Sequence, residues 1–183
     1  MATQLRTMTA DELLAMPDDG IRRELVEGEL REMTPAGWKH GRIAGNIAGE
    51  LRTYVRAHRL GVMATAEASY RLSTDPDTVR VPDVSFVHQA RVDEVGDPVG
   101  FWPGAPDAAF EVVSPNDRYS EVRTKVDEYL AAGTRMVVLV DPQNREVTVF
   151  RLSGTRTELT EDDVLDGEDV VPGWKLPVRD IFA

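Results

Sequence analysis

The sequence contains no cysteine, which excludes disulfides, zinc-cysteine sites, iron-sulfur clusters and thiol nucleophiles and leaves oxygen or histidine as the ligands for any metal. No apolar run approaches the roughly 18 residues of a membrane-spanning helix, and Met1 to Thr9 lacks the charged-then-apolar layout of a signal peptide. A cytoplasmic protein with no membrane partner is therefore expected. Aromatic residues are few, 7%, which speaks against sugar stacking and so against glycoside hydrolysis by paired carboxylates. Lysine is scarce as well: among 21 basic residues only Lys39, Lys125 and Lys175 are lysines, which is weak evidence that lysine chemistry is wanted where one stands. No phosphate-binding glycine loop or dinucleotide fingerprint is present, and no Gly-X-Ser-X-Gly surrounds Ser114.

Positive charge is also in deficit, with 32 acids giving a formal charge of −11, which opposes non-specific adhesion to nucleic acid and anionic lipid. The distribution is uneven. Glu158, Glu161, Asp162, Asp163, Asp166, Glu168 and Asp169 fall together without a base, whereas Lys39, Arg42, Arg52, Arg56 and Arg59 face only Glu50. Binding to a polyanion should therefore be weak without a divalent cation and sensitive to salt.

What is present suits one α/β (α+β) domain over residues 1–183, with an N-terminal helix and hairpin over 9–33, a core over 36–151 and an acidic C-terminal extension over 152–183. Apolar residues make up 42% and charged residues 29%, enough for a packed core. Thr9 followed by Asp11 and Glu12 predicts a capped helix closed by Pro17 and Gly20. Residues 23–33 predict a hairpin turning at Glu27-Gly28. From Trp38 to Leu60, Ile43, Ile47, Leu51, Tyr54 and Val55 recur at helical spacing. Strands are predicted over 62–72, 79–88 and 107–113, with a loop from Gln89 to Pro106 that exposes Phe101 and Trp102 as a candidate dimer contact. A helix to about Ala132, a doubly buried strand over 136–140 and an alternating partner over 146–150 complete the pattern.

Two carboxylates interrupt apolar strands. A period of two places Asp83 on the face of Val81 and Val87, and Glu111 on the face of Ala109 and Val113. A buried carboxylate is costly unless paired, hydrogen-bonded or coordinated to a metal. Lys125 borders the apolar stripe of Val122, Val126 and Tyr129 and could reach the end of the Glu111 strand; the plainer reading is an ion pair with Glu121 one turn earlier. Two carboxylates and a cation form a set that can bind a hard metal and hydrolyse a phosphodiester. His40, beside Lys39 at the start of the basic helix, could contact phosphate or activate water, or equally serve as a partly exposed cap residue; Arg52, Arg56 and Arg59 share one side of that helix, which is more often a solvated face but could give a phosphate-tracking row. His58 and His88 lack partners at ligand spacing and read as structural.

The order Glu24-Leu25-Val26-Glu27-Gly28-Glu29, Val81-Pro82-Asp83, Glu111-Val112-Val113-Ser114-Pro115, Lys125 with Tyr129 and Gly133, and Val140-Asp141-Pro142 resembles the Uma family of restriction-endonuclease-like nucleases, within the PD-(D/E)XK superfamily. The resemblance runs from about Thr9 to the C-terminus. It implies a restriction-endonuclease-like core, a mixed sheet flanked by helices, and a DNA endonuclease using Mg2+, with Mn2+ as a substitute. Carried over by residue, Asp83 and Glu111 are implied metal ligands. Lys125 is the implied catalytic lysine supplied from the following helix, because Val113 stands where the superfamily usually has it, and Glu24 is an acid that approaches the metal. Glu121 stands where relatives often have aspartate, and its role stays open. A homodimer is expected, since duplex cleavage in this superfamily usually pairs two sites. The alternative is a catalytically degenerate binding or assembly module of the same fold.

Overall fold

The computed structural model describes residues 7–115 and 117–183. Thr9 caps α1 (Ala10–Leu14): its hydroxyl accepts the Glu12 N–H at 3.2 Å, and the Glu12 carboxylate accepts the Thr9 N–H at 2.9 Å, which satisfies two otherwise orphaned donors. β1 (Arg23–Val26) and β2 (Glu29–Glu32) form the expected hairpin. Its turn holds Glu27 at φ 49° and Gly28 at φ 78°, the left-handed pair that matches strand twist. The 21-residue α2 (Trp38–His58) buries Ile43, Ile47, Leu51 and Val55 along one stripe, as its period requires.

Three expectations between residues 62 and 106 need correction. Residues 62–72 are not one strand but two, β3 (Gly61–Thr65) and β4 (Tyr70–Ser73), in different sheets. The intervening Ala66-Glu67-Ala68-Ser69 has no β-branched residue to sustain a strand, and a turn closes over it from Ala68 N–H to Thr65 O at 2.8 Å. Val79–His88 likewise divides into β5 (Thr78–Arg80) and β6 (Val84–His88), because Pro82 has no N–H to give a ladder. The expected loop from Gln89 opens with α3 (Gln89–Val95) and contains the short β7 (Trp102–Pro103). Its breakers begin only at Gly96, and the His88 ring caps the helix by accepting the Ala90 N–H. Phe101 and Trp102 are half-buried rather than exposed; Phe101 packs against the cluster of Ala10, Leu13, Leu25 and Val79.

β8 (Ala108–Val112), α4 (Tyr119–Ala131), β9 (Met136–Asp141) and β10 (Glu146–Arg151) follow in the expected order. The main sheet has the strand order β11-β10-β9-β8-β6-β3, where β11 is Arg156–Leu159. Only β8 and β9 run parallel in it. α2 covers one face over Val84, Phe86 and Phe110; α4 covers the other, with Val126 and Tyr129 against Ala109 and Val137. A second sheet, ordered β2-β1-β5-β4-β7, stands beside it. The architecture is the expected mixed sheet flanked by helices.

The stretch expected as an acidic extension is part of the core. β12 (Val164–Asp166) and β13 (Lys175–Pro177) pair with each other, and α5 (Val178–Ile181) follows. Leu165, Val171, Trp174, Ile181 and Phe182 are buried in the same cluster as α2. The acids between them point outward, where Glu161 meets Arg145, Glu168 meets Arg151 and Asp169 meets Arg135. The sequence places apolar and acidic positions alternately there, and the acids drew attention from the rest. Among the described residues no helix is long and apolar enough to cross a membrane.

Candidate active site

The break at Pro82 delivers Asp83 to the point where the chain enters β6. Val84 pairs with Phe110 in the antiparallel register of β6 and β8, so one step further sets Asp83 opposite Glu111 on the same face. Asp83 Oδ2 accepts the Val112 N–H at 2.8 Å and lies 3.1 Å from His40 Nε2, while its Oδ1 takes no hydrogen bond from any described residue. α4 crosses this face with Lys125, Glu128 and Tyr129 at i, i+3 and i+4, hence on one side of the helix. Lys125 Nζ lies 3.0 Å from Glu111 Oε2 and 3.1 Å from Glu24 Oε1. Tyr129 donates its hydroxyl to Glu111 Oε1 at 3.0 Å.

Glu24 comes from β1 in the second sheet and is itself held on both oxygens. Oε1 accepts the Val81 N–H at 2.9 Å, and Oε2 accepts from Arg80 Nη1 at 2.6 Å. Arg80 in turn donates through Nε to Glu128 Oε2 at 2.6 Å. The result is a chain of alternating charge: Glu128, Arg80, Glu24, Lys125, Glu111. It joins the two sheets through α4.

Burial, reinforced by the charges of Asp83 and Glu24, pushes the Glu111 carboxyl up to about 7 against the opposing pull of Lys125. At Lys125 burial acts to lower the pKa, but Glu111 and Glu24 outweigh it and hold the ammonium above its usual range. At Glu24 burial acts upward, and the charges of Lys125 and Arg80 overcome it, so this carboxyl lies below its usual range. The hydrogen bond from His40 to Asp83 raises the imidazole above its ordinary value. Burial, then Glu111, carries the Tyr129 phenol well above its own. Glu24 and Lys125 are thus a settled ion pair, whereas Glu111 is poised to exchange a proton.

Glu24, His40, Arg80, Asp83, Glu111 and Lys125 line a cleft of about 520 Å³, together with Arg22, Arg31 of the hairpin, and Glu121 and Val122 of α4. A family model described as "Uma2: Putative restriction endonuclease" matches residues 10–179. The chain belongs to the Uma2 family. A crystal structure described as a putative nuclease belonging to DUF820 from Anabaena variabilis ATCC 29413 superposes with a TM-score of 0.84 at 24% identity, over 96% of this chain and 97% of that one. The two share a fold. No curated protein matches the sequence.

Within this Uma2 chain, Asp83, Glu111, Lys125, Glu24 and His40 converge as side chains of one cleft. Lys125 pairs with Glu111 and Glu24 rather than with Glu121, so the plainer sequence reading of that lysine does not hold. Glu24, expected to approach a metal, lies beside Lys125 with its oxygens also accepting from Arg80 and Val81. Arg52, Arg56 and Arg59 do not join the cleft; they line a separate depression at the far end of α2. His58 stacks on Tyr54 at 4.0 Å and His88 caps α3, both structural roles as expected. Sequence reasoning missed Arg80, Glu128 and the hydroxyl role of Tyr129. Arg80 between Val79 and Val81 carries the same signal as Asp83 and Glu111, a charge inside an apolar strand. Glu128 and Tyr129 show theirs only through their three- and four-residue offsets from Lys125.

The donor set suits a hard divalent cation. Asp83 and Glu111 are adjacent and mutually repelling, and Asp83 keeps Oδ1 unengaged among the described residues. Among these residues no group of three or more histidine, aspartate or glutamate side chains is gathered for a metal. Two carboxylates completed by water, backbone carbonyl and substrate oxygen are the set that Mg2+ accepts.

Proposed function

We propose that this chain is a magnesium-dependent endonuclease that hydrolyses phosphodiester bonds in DNA, with Mn2+ able to substitute, acting in the cytoplasm as a homodimer of single domains. The observation that carries the reading is the meeting of Asp83 and Glu111 with the ammonium of Lys125 in one cleft. Membership of a family described as restriction endonuclease supports it. Asp83 and Glu111 would hold the metal, and Mg2+ bound there supplies Lewis-acid charge for attack on phosphorus.

Lys125 has three N–H donors; one goes to Glu111 Oε2 at 3.0 Å and Glu24 Oε1 lies 3.1 Å from Nζ, so at most two are engaged. The third is available to a water or a phosphate oxygen in the cleft. In the reaction the water oxygen forms a bond to phosphorus, the bond from phosphorus to the leaving oxygen breaks, and that oxygen takes up a proton. Lys125 orients the incoming water or offsets the growing negative charge. Glu24 acts through Lys125 as a positioning residue, anchored by Arg80. His40, whose imidazole Asp83 raises above its ordinary value, faces the cleft as a phosphate contact. Two sites are needed to cut both strands of a duplex, and each chain carries one, which is the reason for proposing a homodimer.

The rival is a catalytically degenerate module of the same fold, favoured by Val113 at the superfamily's usual lysine place. Lys125 answers it, because its ammonium reaches Glu111 from α4. Incubation with supercoiled plasmid separates the two. The parent protein should nick or linearise the plasmid with Mg2+ and not with EDTA, and Asp83→Asn and Lys125→Met should each lose on the order of 100-fold or more in rate. A folded parent that leaves plasmid intact with both Mg2+ and Mn2+ establishes the module instead.

A further inference from the structure

Away from the cleft, Arg52, Arg56 and Arg59 line a depression of about 550 Å³ together with Gly61, Val62 and Gln89, between the end of α2 and the edge strand β3. At 100° per residue Arg52 and Arg56 lie about 40° apart on α2, and Arg59 follows as its C-cap in the left-handed region, φ 53°. All three are exposed, and none of their side chains takes part in a hydrogen bond or ion pair with any described residue. That is unexpected in a chain with 32 acids and 21 bases. Arginines elsewhere, such as Arg80, Arg145 and Arg151, each meet a carboxylate. Three adjacent guanidiniums left uncompensated in an acidic molecule make a local anion site, because each offers a planar fork of donors matched to phosphate.

We propose that Arg52, Arg56 and Arg59 form a second phosphate-binding site, which holds the arm of duplex DNA that extends beyond the cleft. The inference rests on the nuclease reading and deepens it, by making the substrate a duplex rather than a single nucleotide or a short end. α2 connects the two places: it presents His40 to the cleft from the side of its buried stripe and, turned about 120° to 160° around the axis, Arg52 and Arg56 about 18 to 24 Å further on. At 3.4 Å per base pair this spans about five to seven base pairs. The intervening flank carries Gly41 and Gly45, where an added Cβ meets no atom within 4 Å. A rod-like polyanion can therefore lie close along the helix. A second copy of this chain on the same depression is disfavoured, since a twofold contact there would set the two arginine rows against each other.

The test titrates the full-length protein into a fluorescein-labelled 30-base-pair duplex between 50 and 200 mM NaCl, with Ca2+ in place of Mg2+ to follow binding without turnover. The combined variant Arg52→Gln, Arg56→Gln, Arg59→Gln should melt at the parent's temperature, because these side chains have no partners to lose. Its plot of log affinity against log salt should be shallower by about 2.7, from about 0.9 per phosphate contact, so the parent loses about 40-fold more affinity over that range. Equal slopes and affinities overturn the second site and leave the cleft reading standing, since that reading rests on cleavage and metal binding. A parent that binds no duplex in Ca2+ or Mg2+ overturns both. Binding of a polyglutamate peptide that the variant loses, with no change on the duplex, assigns the row to an acidic protein partner and overturns the proposal.

Discussion

Glu111 governs how the metal-free protein responds to pH. Its carboxyl lies at about 7 in the folded state against 4.5 as the ordinary value, so the folded state binds the proton more tightly. The stability this confers is complete below about pH 4.5 and is lost as pH rises through about 7. Glu24 runs the other way: its carboxyl is depressed, and its contribution is lost as pH falls below the ordinary range. Thermal melts of metal-free parent and Glu111→Gln should coincide near pH 5, and the variant should be the more stable above pH 7.5, by on the order of 3 kcal/mol. A variant that melts lower than the parent at both pH values contradicts this. Lys125→Met should behave differently. It leaves Glu24 and Glu111 buried without their shared cation, costing about 3 to 5 kcal/mol at neutral pH, and this loss should shrink at pH 5 as Glu111 takes a proton. An equal loss at both pH values would show that packing of the lysine stem matters rather than its charge.

Elements differ in how much of them the sequence reveals. α2 and α4 are legible because a 3.6-residue stripe and, for α4, the terminating Gly133 are local signals, and the β1 to β2 turn is legible through Glu27-Gly28. Asp83 and Glu111 stand out as charges in apolar strands. What is not legible is the change of sheet at residues 66–69 and at Pro82, because the strands on either side read as continuous until their partners are known. The ion pair of Glu24 with Lys125 is equally hidden, since it crosses about 100 residues of chain and depends on the second sheet meeting α4. The C-terminal strands show the same limit, with apolar positions obscured by a run of acids. At this scale acids and apolar residues should separate cleanly. Replacing Asp162, Asp163 and Asp166 together by Asn should leave the fold intact with only a small loss of stability, chiefly from the Thr160 bonds to Asp163 and the Glu168 N–H to Asp166. Trp174→Ala should cost about 3 to 5 kcal/mol, because its ring is buried edge-on against Phe110. Urea melts of both proteins check this; comparable losses would mean that the acids are as structural as the indole.

For the whole molecule, charge and site geometry pull in opposite directions. A chain of net charge −11 repels a polyanion at long range, so in the proposed reaction productive approach would depend on local features: a cation between Asp83 and Glu111, Arg22 and Arg31 at the cleft, and the row of Arg52, Arg56 and Arg59. Sedimentation at high micromolar concentration should give a dimer; a monomer mass there would remove the proposed pairing of two sites. The account's central claim is that Asp83 and Glu111 form a divalent-cation site whose like-charge repulsion the cation relieves. Calorimetric titration of Mg2+ into the metal-free protein at pH 7, in two buffers of different ionisation enthalpy, tests it most directly. The predicted result is saturable binding with proton release to the buffer, as Glu111 gives up its proton, and at least about tenfold weaker binding with no proton release in Glu111→Gln. Binding of equal strength in parent and Glu111→Gln, with the variant melting several degrees lower, would contradict the claim and make Glu111 a structural partner of Lys125.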